Sequence, residues 1–427
     1  MSHETLQAWL VHIDRLHSRG IDLGLRRVRA VYERMTPLSC PVITVGGTNG
    51  KGSTSAILES CYRAAGYRTG AYFSPHLMRY NERVRVNAEE ATDEALCEAF
   101  AAVEEARGDT SLTYFEFGTL AALWLFAQTA VDVAILEVGL GGRLDAVNIV
   151  DADVAVVVSV GTDHKDWLGP DRETIGREKA GIFRAGRPAV IGFDVSESVS
   201  HEAQRMGARA VIAGRDFRYE ESESAWRFLS AAGARDLPYP ALRGRYQLAN
   251  ASCALAVAEA LPGLALTAQD VRAGLKAVRL AGRFQTLPGP GPRVVLDVAH
   301  NAEAAHTLAL TLNEQRVAGR TLAVVGMFKD KPIIEVFAAL RRSFDGWFLA
   351  SLDDPRGAAA ASLEAALRTV GVIPDGLYDD PVDAYGAALG CARHDDRVVV
   401  FGSFKTVGAI LALMQDRRGG GGGGRVV

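Results

Sequence analysis

Short runs of valine and isoleucine alternate with longer segments of helical periodicity along most of the chain from about residue 40. Strands that are buried on both faces appear as continuous apolar runs, and such strands separated by helices form parallel sheets. The pattern therefore predicts an α/β fold in which helices flank parallel sheets. The first series of predicted strands comprises Val42–Val45, Val133–Val138, Val154–Val160 and Ala189–Phe193.

A second series of strands and helices follows closer to the C-terminus. Its predicted strands are Val294–Val298, Leu322–Gly326, Trp347–Ala350 and Val398–Phe401, and its predicted helices lie around 302–315, 332–343, 359–370 and 405–415. The segment 282–292 between the two series contains glycines and prolines that cannot continue a helix or a central strand. We therefore predict an N-terminal domain over 1–285, a smaller C-terminal α/β domain over 293–417 and a disordered glycine-rich tail over 418–427. The polar segment 215–240 is predicted to form a hairpin at the edge of the first sheet.

Composition and charge exclude several functional classes. The 427 residues contain 47 Lys plus Arg and 51 Asp plus Glu, which gives a formal net charge of −4. We expect no nucleic-acid partner, because non-specific binding to nucleic acids requires clustered cations. The five cysteines are scattered without CxxC spacing, which argues against a disulfide framework or a zinc site and favours a reducing cytoplasm. Polar and charged residues interrupt the longest apolar stretch, Leu120–Leu140, so we expect no membrane span.

The strongest local signal is the segment 42–53, in which a buried strand enters a glycine-rich turn and then a helical segment. Glycines let backbone N–H groups converge on an anion at a helix N-terminus, and Lys51 adds a positive charge. Thr48 or Ser53 can contact a phosphate or its metal. The loop is a variant, because the usual phosphate-loop pattern would place glycine at Val45 and a hydroxyl at Gly52. A tight strand-to-helix turn that binds no ligand is the alternative.

Polar side chains also follow other predicted strands. Glu137 ends one strand, where phosphate-binding ATPases often keep the acid that holds Mg²⁺. Asp163 and His164 follow the next strand, and Asp297 and His300 follow a strand of the second series. Ligands of open α/β sheets bind at the carboxyl ends of strands, so this shared placement predicts a ligand site. A solvated position for Glu137 and a structural role for His164 are the alternatives, since imidazole is an unusual ligand for Mg²⁺.

Two other segments are less informative by themselves. Ser74-Pro-His-Leu77 is typical of a loop, and a solvated connector is its alternative. Lys179 would, on composition, be an exposed lysine of a helix. Taken together, the residues predict a nucleotide-binding α/β enzyme that uses Mg²⁺ and transfers a phosphoryl group, and they do not identify the acceptor.

The chain closely resembles the folylpolyglutamate synthase/dihydrofolate synthase family, whose members are Mur-ligase-type amide synthetases. The motifs that carry the resemblance are Gly47-Thr-Asn-Gly-Lys-Gly-Ser53, Ser74-Pro-His-Leu77 with Glu82-Arg83, Leu136-Glu-Val-Gly-Leu-Gly-Gly-Arg143, Asp163-His164 with Leu168-Gly169, Arg177-Glu-Lys-Ala-Gly181 and Asp297-Val-Ala-His-Asn301. They span almost the whole chain. The resemblance implies an N-terminal phosphate-loop ATPase domain with a parallel central sheet and a smaller Rossmann-like C-terminal domain.

The resemblance implies ATP-dependent amide ligation in folate biosynthesis. The carboxylate of 7,8-dihydropteroate or of a reduced folate would take the γ-phosphoryl group of ATP, and the amine of L-glutamate would attack the acyl phosphate. The resemblance favours both activities in one chain, with a synthase of only one activity as the alternative. It also implies two Mg²⁺ ions, ATP as co-substrate, room for a monovalent cation, and a monomer in the cytoplasm.

The resemblance also implies a role for particular residues. The ATP-binding residues are Thr48, Asn49, Gly50, Lys51, Gly52, Ser53, Asn250, Arg283 and Asp297. The Mg²⁺ ligands are Ser74, Glu137, His164 and Lys179, with Lys179 carried as an N6-carboxylated lysine. The substrate-binding residues are Ile21, Asp22, Leu23, Gly24, Thr113, Tyr114, Phe115, Glu116, Leu144, Asp145 and Ala146 for the pterin, and Ser403 near the glutamate. The catalytic residues are Lys51, Lys179 and His300.

Three other classes of protein would share part of this pattern. Cell-wall Mur ligases carry a separate nucleotide-sugar domain before the phosphate loop, but only 46 residues precede Gly47, fewer than the roughly 50 of a small domain. A switch GTPase would usually read guanine with an Asn-Lys-x-Asp segment, which this sequence lacks. A non-catalytic scaffold would bind ATP without turning it over.

Overall fold

The computed structural model describes residues 4–222 and 225–419, and their side chains up to residue 415. These residues form two compact units. The first unit comprises 4–76, 80–222, 225–241 and 247–279, and the second comprises 77–79, 242–246 and 280–419. Most of the predicted glycine-rich tail lies outside the described residues.

An eight-stranded sheet forms the centre of the first unit, with the strand order β4-β3-β2-β5-β1-β6-β7-β8. Its strands are β1 (Val42–Gly46), β2 (Thr69–Tyr72), β3 (Val84–Val86), β4 (Glu89–Glu90), β5 (Val133–Glu137), β6 (Val154–Ser159), β7 (Pro188–Asp194) and β8 (Arg209–Ile212). The ladder from β2 to β8 is parallel, whereas β3 and β4 pair antiparallel at one edge. All residues of β1 and β5 are buried, as expected for strands that have helices on both faces.

Ten helices accompany the strands of the described first unit. They are α1 (Leu6–Arg15), α2 (Arg26–Tyr32), α3 (Lys51–Ala64), α4 (Asp93–Arg107), α5 (Tyr114–Gln128), α6 (Lys165–Leu168), α7 (Arg172–Ala180), α8 (Glu197–Arg205), α9 (Tyr246–Ala260) and α10 (Ala268–Ala277). Short 3₁₀-helices lie at Tyr80–Arg83 and Ala146–Ile149. Local chemistry fixes several starts: the Thr113 hydroxyl accepts from the Glu116 N–H while Glu116 accepts from the Thr113 N–H, which is a capping box at the start of α5.

The second unit contains a six-stranded sheet with the strand order β12-β13-β17-β14-β15-β16. Its strands are β12 (Gln285–Leu287), β13 (Arg293–Leu296), β14 (Thr321–Val325), β15 (Gly346–Ala350), β16 (Gly376–Tyr378) and β17 (Arg397–Phe401). Its helices are α11 (Ala302–Glu314), α12 (Ile333–Leu340), α13 (Ala360–Thr369), α14 (Pro381–Cys391) and α15 (Phe404–Gly419). The strands are parallel except for β12, which pairs antiparallel with β13 at the edge.

One local prediction was wrong. The segment around 215–240 does not extend the first sheet; it forms a separate antiparallel sheet of β9 (Phe217–Glu221), β10 (Trp226–Ser230) and β11 (Gly233–Leu237). Aromatic rings of this sheet pack on one another, as Trp226 does on Phe228 at 6.4 Å between centroids. The segment 282–292 forms no helix and no central strand, as predicted. Its residues Gln285–Leu287, which include neither glycine nor proline, form the edge strand β12.

Candidate functional site

The glycine-rich loop lies at the carboxyl end of β1, between the ends of two neighbouring strands. In the parallel register Val45 pairs with Glu137 of β5 on one side, and Gly46 pairs with Val157 of β6 on the other. The loop then enters α3, whose first residue is Lys51. The first N–H groups of an α-helix and the positive end of its dipole are the usual environment of a bound phosphate.

Gly50 is required by both conformation and space. It has a φ of 84°, in the left-handed region, and it caps the N-terminus of α3. A Cβ atom added there would lie 2.4 Å from Oδ1 of Asn250 and 2.9 Å from Cγ1 of Val158. The buried Asn250 side chain on α9 therefore lies directly against the loop, and its Nδ2 donates to Oε1 of Gln247 at 2.9 Å. The structure thus brings two predicted ATP-binding residues, Gly50 and Asn250, together.

Two lysines converge on the backbone of the loop. Nζ of Lys51 donates to the carbonyl oxygens of Gly47 at 3.1 Å and Thr48 at 3.2 Å. Nζ of Lys179, on α7, donates to the same Gly47 oxygen at 3.0 Å. Lys179 is only 4% exposed, so the composition-based expectation of an exposed lysine was wrong. Burial, followed by the neighbouring Lys51 charge, lowers the pKa of Lys179 to about 7.

The hydroxyl of Thr48 does not project freely from the loop. Its Oγ1 accepts from the N–H of Gly161 at 2.8 Å and donates to the carbonyl of the same residue at 3.2 Å. Ser159 makes the equivalent pair of bonds with Asn49, at 3.0 Å to the N–H and 2.9 Å to the carbonyl. The residue pattern gave no signal for Ser159, which is separated from its partner by 110 positions.

Three of the four predicted metal ligands, Ser74, Glu137 and His164, lie at or just beyond the carboxyl ends of strands of the first sheet. Glu137, 4% exposed at the end of β5, accepts a hydrogen bond from the Ser74 N–H through Oε2 at 3.1 Å. His164 follows β6 with a φ of 55° and precedes α6, and its side chain is 40% exposed. No cluster of three or more His, Cys, Asp or Glu with metal-binding geometry occurs within 4–222 and 225–419. The carboxylate and hydroxyl donors nevertheless suit Mg²⁺, and a lysine with a lowered pKa can acquire a carboxylate.

Two of the three predicted pterin-binding segments meet at Arg27. Its guanidinium bonds the Asp22 carboxylate at 2.7 Å, the Asp22 carbonyl at 2.8 Å and the Glu116 carboxylate at 3.2 Å. Glu116 is 4% exposed and also caps α5, so Arg27 fixes the segment 21–24 to the start of that helix. The residue pattern does not single out Arg27, because its position in an Arg-Arg pair of a short helix gives no sign of its partners.

The third predicted pterin-binding segment packs on the same helix. The ring of Phe115 lies so close to Gly139 that a Cβ atom there would approach it to 2.6 Å. The buried carboxyl of Asp145 accepts from the N–H groups of Leu140 at 2.8 Å and Val147 at 3.1 Å, and so shapes the 139–147 loop. Burial raises the pKa of Asp145 to about 7 despite these bonds.

Arg83 links the Ser74 loop to the pterin segments. Its guanidinium lies over the rings of Tyr80 and Tyr114, at 5.6 and 5.5 Å from their centroids, and its Nε donates to Nδ1 of His76 at 2.8 Å. Burial and the Arg83 charge lower the pKa of His76 to about 4, which keeps this imidazole neutral and able to accept the bond.

The second unit holds the remaining predicted site residues near the ends of β13 and β17. Asp297 accepts from the N–H groups of Phe284 and Ala299, both at 2.8 Å, and burial raises its pKa. The ring of Phe404 lies 5.4 Å from the Arg283 guanidinium and 6.3 Å from the His300 ring. The Ser403 hydroxyl accepts from the Thr406 N–H at 3.0 Å and lies 2.7 Å from the Thr406 hydroxyl, so it caps α15.

Comparison with known proteins identifies the family. A model described as the Mur ligase middle domain matches residues 45–258, and one described as the Mur ligase glutamate ligase domain matches residues 282–404. The dihydrofolate synthase/folylpolyglutamate synthase of Escherichia coli is 47% identical over 97% of this chain and 96% of its own length. The protein of the same name from Haemophilus influenzae is 40% identical over 96% of this chain and 98% of its own length. This chain belongs to the dihydrofolate synthase/folylpolyglutamate synthase family.

Solved structures of this family share the fold. Escherichia coli FolC in complex with DHPP and ADP matches with a TM-score of 0.92 and 46% identity, over 98% of this chain and 99% of that one. A bifunctional folylpolyglutamate synthase/dihydrofolate synthase with Mn, AMPPNP and L-glutamate bound matches with a TM-score of 0.89 and 44% identity, over 97% and 99%. The predicted Mur-ligase-type α/β fold and the predicted ATP-dependent ligase class are confirmed. Family membership also separates the chain from the switch GTPases considered above.

Proposed function

We propose that this chain joins L-glutamate to 7,8-dihydropteroate, forming dihydrofolate, and to reduced folates, forming polyglutamates, at the cost of ATP and with a divalent metal ion. One observation carries the proposal: Lys51 and Lys179 both bind the backbone of the phosphate loop. The loop lies between β5, which ends at Glu137, and β6, which leads to His164. The names of the relatives, and the ADP, AMPPNP, Mn and L-glutamate in the titles of the matched structures, support the same ligand set.

The chemistry proceeds in two displacements. A carboxylate oxygen of the pteroate or folate attacks the γ-phosphorus of ATP, the bond to the β,γ-bridging oxygen breaks, and ADP leaves. The glutamate amine then attacks the acyl carbon, phosphate departs with the former carboxylate oxygen, and the amine loses a proton. Phosphorylation converts a poor leaving group into a good one, and Lys51 with the N-terminus of α3 stabilises the charge on the phosphoryl oxygens.

Ser74, Glu137, His164 and Lys179 would hold two Mg²⁺ ions, which when bound neutralise phosphate charge and polarise the transferring group. We propose that Lys179 is N6-carboxylated. Its amine is buried and has a pKa of about 7, so a large neutral fraction is available to attack carbon dioxide at physiological pH. The product is a carboxylate, a hard oxygen ligand that replaces a cation beside Lys51. A monovalent cation is a further proposed cofactor.

Residues of both units have further proposed contacts with the nucleotide and the glutamate. In the first unit, Asn250 binds the adenine. In the second unit, Arg283 and Asp297 contact the nucleotide, and His300 lies near the glutamate amine. Ser403, whose hydroxyl caps α15 as described above, also lies near the glutamate.

We place the pterin ring on the first unit, near the network of Asp22, Arg27 and Glu116 and the ring of Phe115. Such a site combines carboxylate acceptors for the amino and ring N–H groups of a pterin with an aromatic surface for its plane. None of these proposed contacts involves the glutamate part of a substrate. The site would therefore accept both dihydropteroate, which has no glutamate, and a reduced folate.

We further propose that the protein is a monomer of the reducing cytoplasm, in which all five cysteines are free thiols. None of the helices in the described part of the chain has the length and apolar character needed to cross a bilayer. Light scattering of the purified chain would test the monomer through its mass, which should be that of one chain and not of two.

Glutamate-dependent ADP release with Mg²⁺ tests the proposed function. One reaction contains 7,8-dihydropteroate and a second contains tetrahydrofolate or its formyl or methylene form. Turnover in both is expected. Turnover with only one substrate would replace the bifunctional assignment by a single-activity synthase, and ADP binding without turnover on either substrate would contradict the ligase assignment.

A further inference from the structure

The phosphate loop is tied to the end of β6 by an unusual density of hydrogen bonds. The Ser159 hydroxyl donates to the Asn49 carbonyl at 2.9 Å and accepts from the Asn49 N–H at 3.0 Å. The Thr48 N–H donates to the Ser159 carbonyl at 2.9 Å. The backbone of Asn49 therefore pairs with a side chain as it would pair with a neighbouring strand, although the sheet ladder between β1 and β6 has already ended at Gly46.

Thr48 forms a second bridge, to Gly161, which lies two residues after Ser159. Its hydroxyl accepts from the N–H of Gly161 at 2.8 Å and donates to the carbonyl of Gly161 at 3.2 Å. Each of the two hydroxyls thus uses its only proton and accepts one bond. A hydroxyl whose proton is donated to a backbone carbonyl has no proton left to donate to a phosphate.

The segment that receives these bonds leads directly to the predicted metal residues. Gly161 is followed by Thr162, Asp163 and His164, and the N–H of His164 donates to Oδ1 of Asp163 at 2.8 Å. The positions of the loop and of this segment are therefore set by one shared network. Any displacement of 48–49 must move 159–161 or break the bonds between them.

We propose that Ser159 and Thr48 are positioning residues that couple nucleotide binding to metal binding by holding the phosphate loop and the 161–164 segment in one fixed arrangement. The inference rests on the proposed function, because it requires that the loop binds phosphates and that His164 binds the divalent metal. Coupling between two ligands is reciprocal, so the factor by which Mg²⁺ strengthens ADP binding measures it directly.

The test is calorimetric titration of ADP into the full chain with and without Mg²⁺. The ratio of the two dissociation constants gives the coupling factor, and the contribution from the Mg²⁺–ADP complex in solution cancels when variants are compared. In Ser159→Ala we expect this factor to fall about fivefold or more, whereas metal-free ADP binding changes less. Ser159→Thr keeps the hydroxyl and should restore most of the coupling.

Substitutions of Thr48 provide a second pair of variants in case Ser159→Ala folds poorly. Thr48→Val should lower the coupling factor, and Thr48→Ser should preserve it. Thr44→Val is the matched control, since it removes from β1 a buried hydroxyl that has no hydrogen-bond partner. It should leave the coupling unchanged.

The possible failures are distinguishable. A wild-type chain that binds no ADP, with or without Mg²⁺, would contradict the proposed function and this inference together. A second outcome is that the wild-type chain binds ADP and is active, but Ser159→Ala loses ADP affinity equally with and without Mg²⁺. This outcome would overturn only the inference, because Ser159 would then support the loop without coupling it to the metal. Loss of coupling in Thr44→Val as well would also overturn it.

Discussion

Lys51 and Lys179 donate hydrogen bonds to the same acceptor, the carbonyl oxygen of Gly47, over 3.1 and 3.0 Å. Two ammonium groups that share one carbonyl repel each other, and Lys179 is buried as well. Both effects favour the neutral amine of Lys179, whose pKa is lowered to about 7. The arrangement thus distinguishes two similar residues: in the proposed function, Lys51 supplies positive charge to the phosphates and Lys179 is the lysine that is modified.

Replacing Lys51 by methionine removes the charge but keeps the length of the side chain. We expect turnover to fall by about two to three orders of magnitude, because a charged group that acts on the transferring phosphoryl group is lost. Steady-state ADP release at saturating ATP measures the effect. Lys276→Met, at an exposed position of α10, is the control and should retain full turnover. Near-normal turnover in Lys51→Met would remove the phosphate-loop assignment.

The Lys179 amine should make the enzyme dependent on carbon dioxide. In carbon-dioxide-free buffer we expect activity to decline and to recover when bicarbonate is added. At equal concentrations of dissolved carbon dioxide, recovery should be faster at pH 8 than at pH 6, because the neutral fraction of the Lys179 amine rises as the pH passes through its pKa of about 7. Lys179→Ala should be inactive and partly rescued by short carboxylic acids. Full activity of this variant without any acid would contradict the role.

Gly50→Ala separates two effects of an added methyl group. Alanine at a positive φ costs about 1–2 kcal/mol anywhere, but at Gly50 its Cβ would also lie 2.4 Å from Oδ1 of Asn250. We expect this variant to lose ADP binding, as measured by calorimetry. The matched control is Gly66→Ala, which has a similar φ of 88° and no heavy atom within 4 Å of the added Cβ. Gly66→Ala should lower the stability of the fold but keep ADP binding. Loss of ADP binding in both variants would contradict the explanation.

Arg27→Met tests the pterin site. The side chain keeps most of its apolar contacts, but Asp22 and Glu116 lose their shared partner. We expect the KM for dihydropteroate and for tetrahydrofolate to rise about tenfold or more, with the KM for ATP unchanged. Arg29→Met, at an exposed position of the same helix, should leave all three constants unchanged. An equal rise in the KM for ATP would indicate a general structural defect.

Glu59 gives the stability of the chain a defined pH dependence. Its buried carboxyl pairs with Arg85 at 2.9 Å, and burial raises its pKa to about 7. Because the folded state then holds the proton more tightly than the unfolded state, the protein loses stability as the pH rises from about 4.5 to about 7. Glu59→Gln lacks this loss, so its unfolding temperature should rise relative to the parent over that range. If the unfolding temperatures of Glu59→Gln and the parent changed in parallel with pH, the raised pKa would be contradicted. The control Glu98→Gln, at an exposed site on α4, should show this parallel behaviour.

The sequence predicted the strands that position the site, since all the strands of both predicted series form with ends shifted by at most two residues. Buried parallel strands are continuous apolar runs, and such runs are visible without knowledge of their neighbours. Short strands such as β2 and β8 were not predicted. The Thr69–Tyr72 strand contains a glycine and only four residues, so its character comes from the strands beside it rather than from its own pattern.

Within the site, contacts between residues close in the sequence were predictable, and contacts between distant residues were not. The loop around Lys51 was predicted because its strand, turn and helix are contiguous. The bonds of Ser159 to Asn49 and of Arg27 to Glu116 span 110 and 89 positions, and a periodicity along the chain contains no information about which distant side chains meet. The burial of Lys179 likewise follows from the packing of α7 and not from its own polar sequence.

Oxygen transfer during the reaction tests the central claim most directly. Dihydropteroate labelled with ¹⁸O in its carboxylate is incubated with ATP, Mg²⁺, L-glutamate and the enzyme, and the released phosphate is analysed by mass spectrometry. An acyl phosphate intermediate predicts one ¹⁸O atom in each phosphate released. Unlabelled phosphate, formed while dihydrofolate accumulates, would contradict the proposed phosphoryl transfer to the substrate carboxylate.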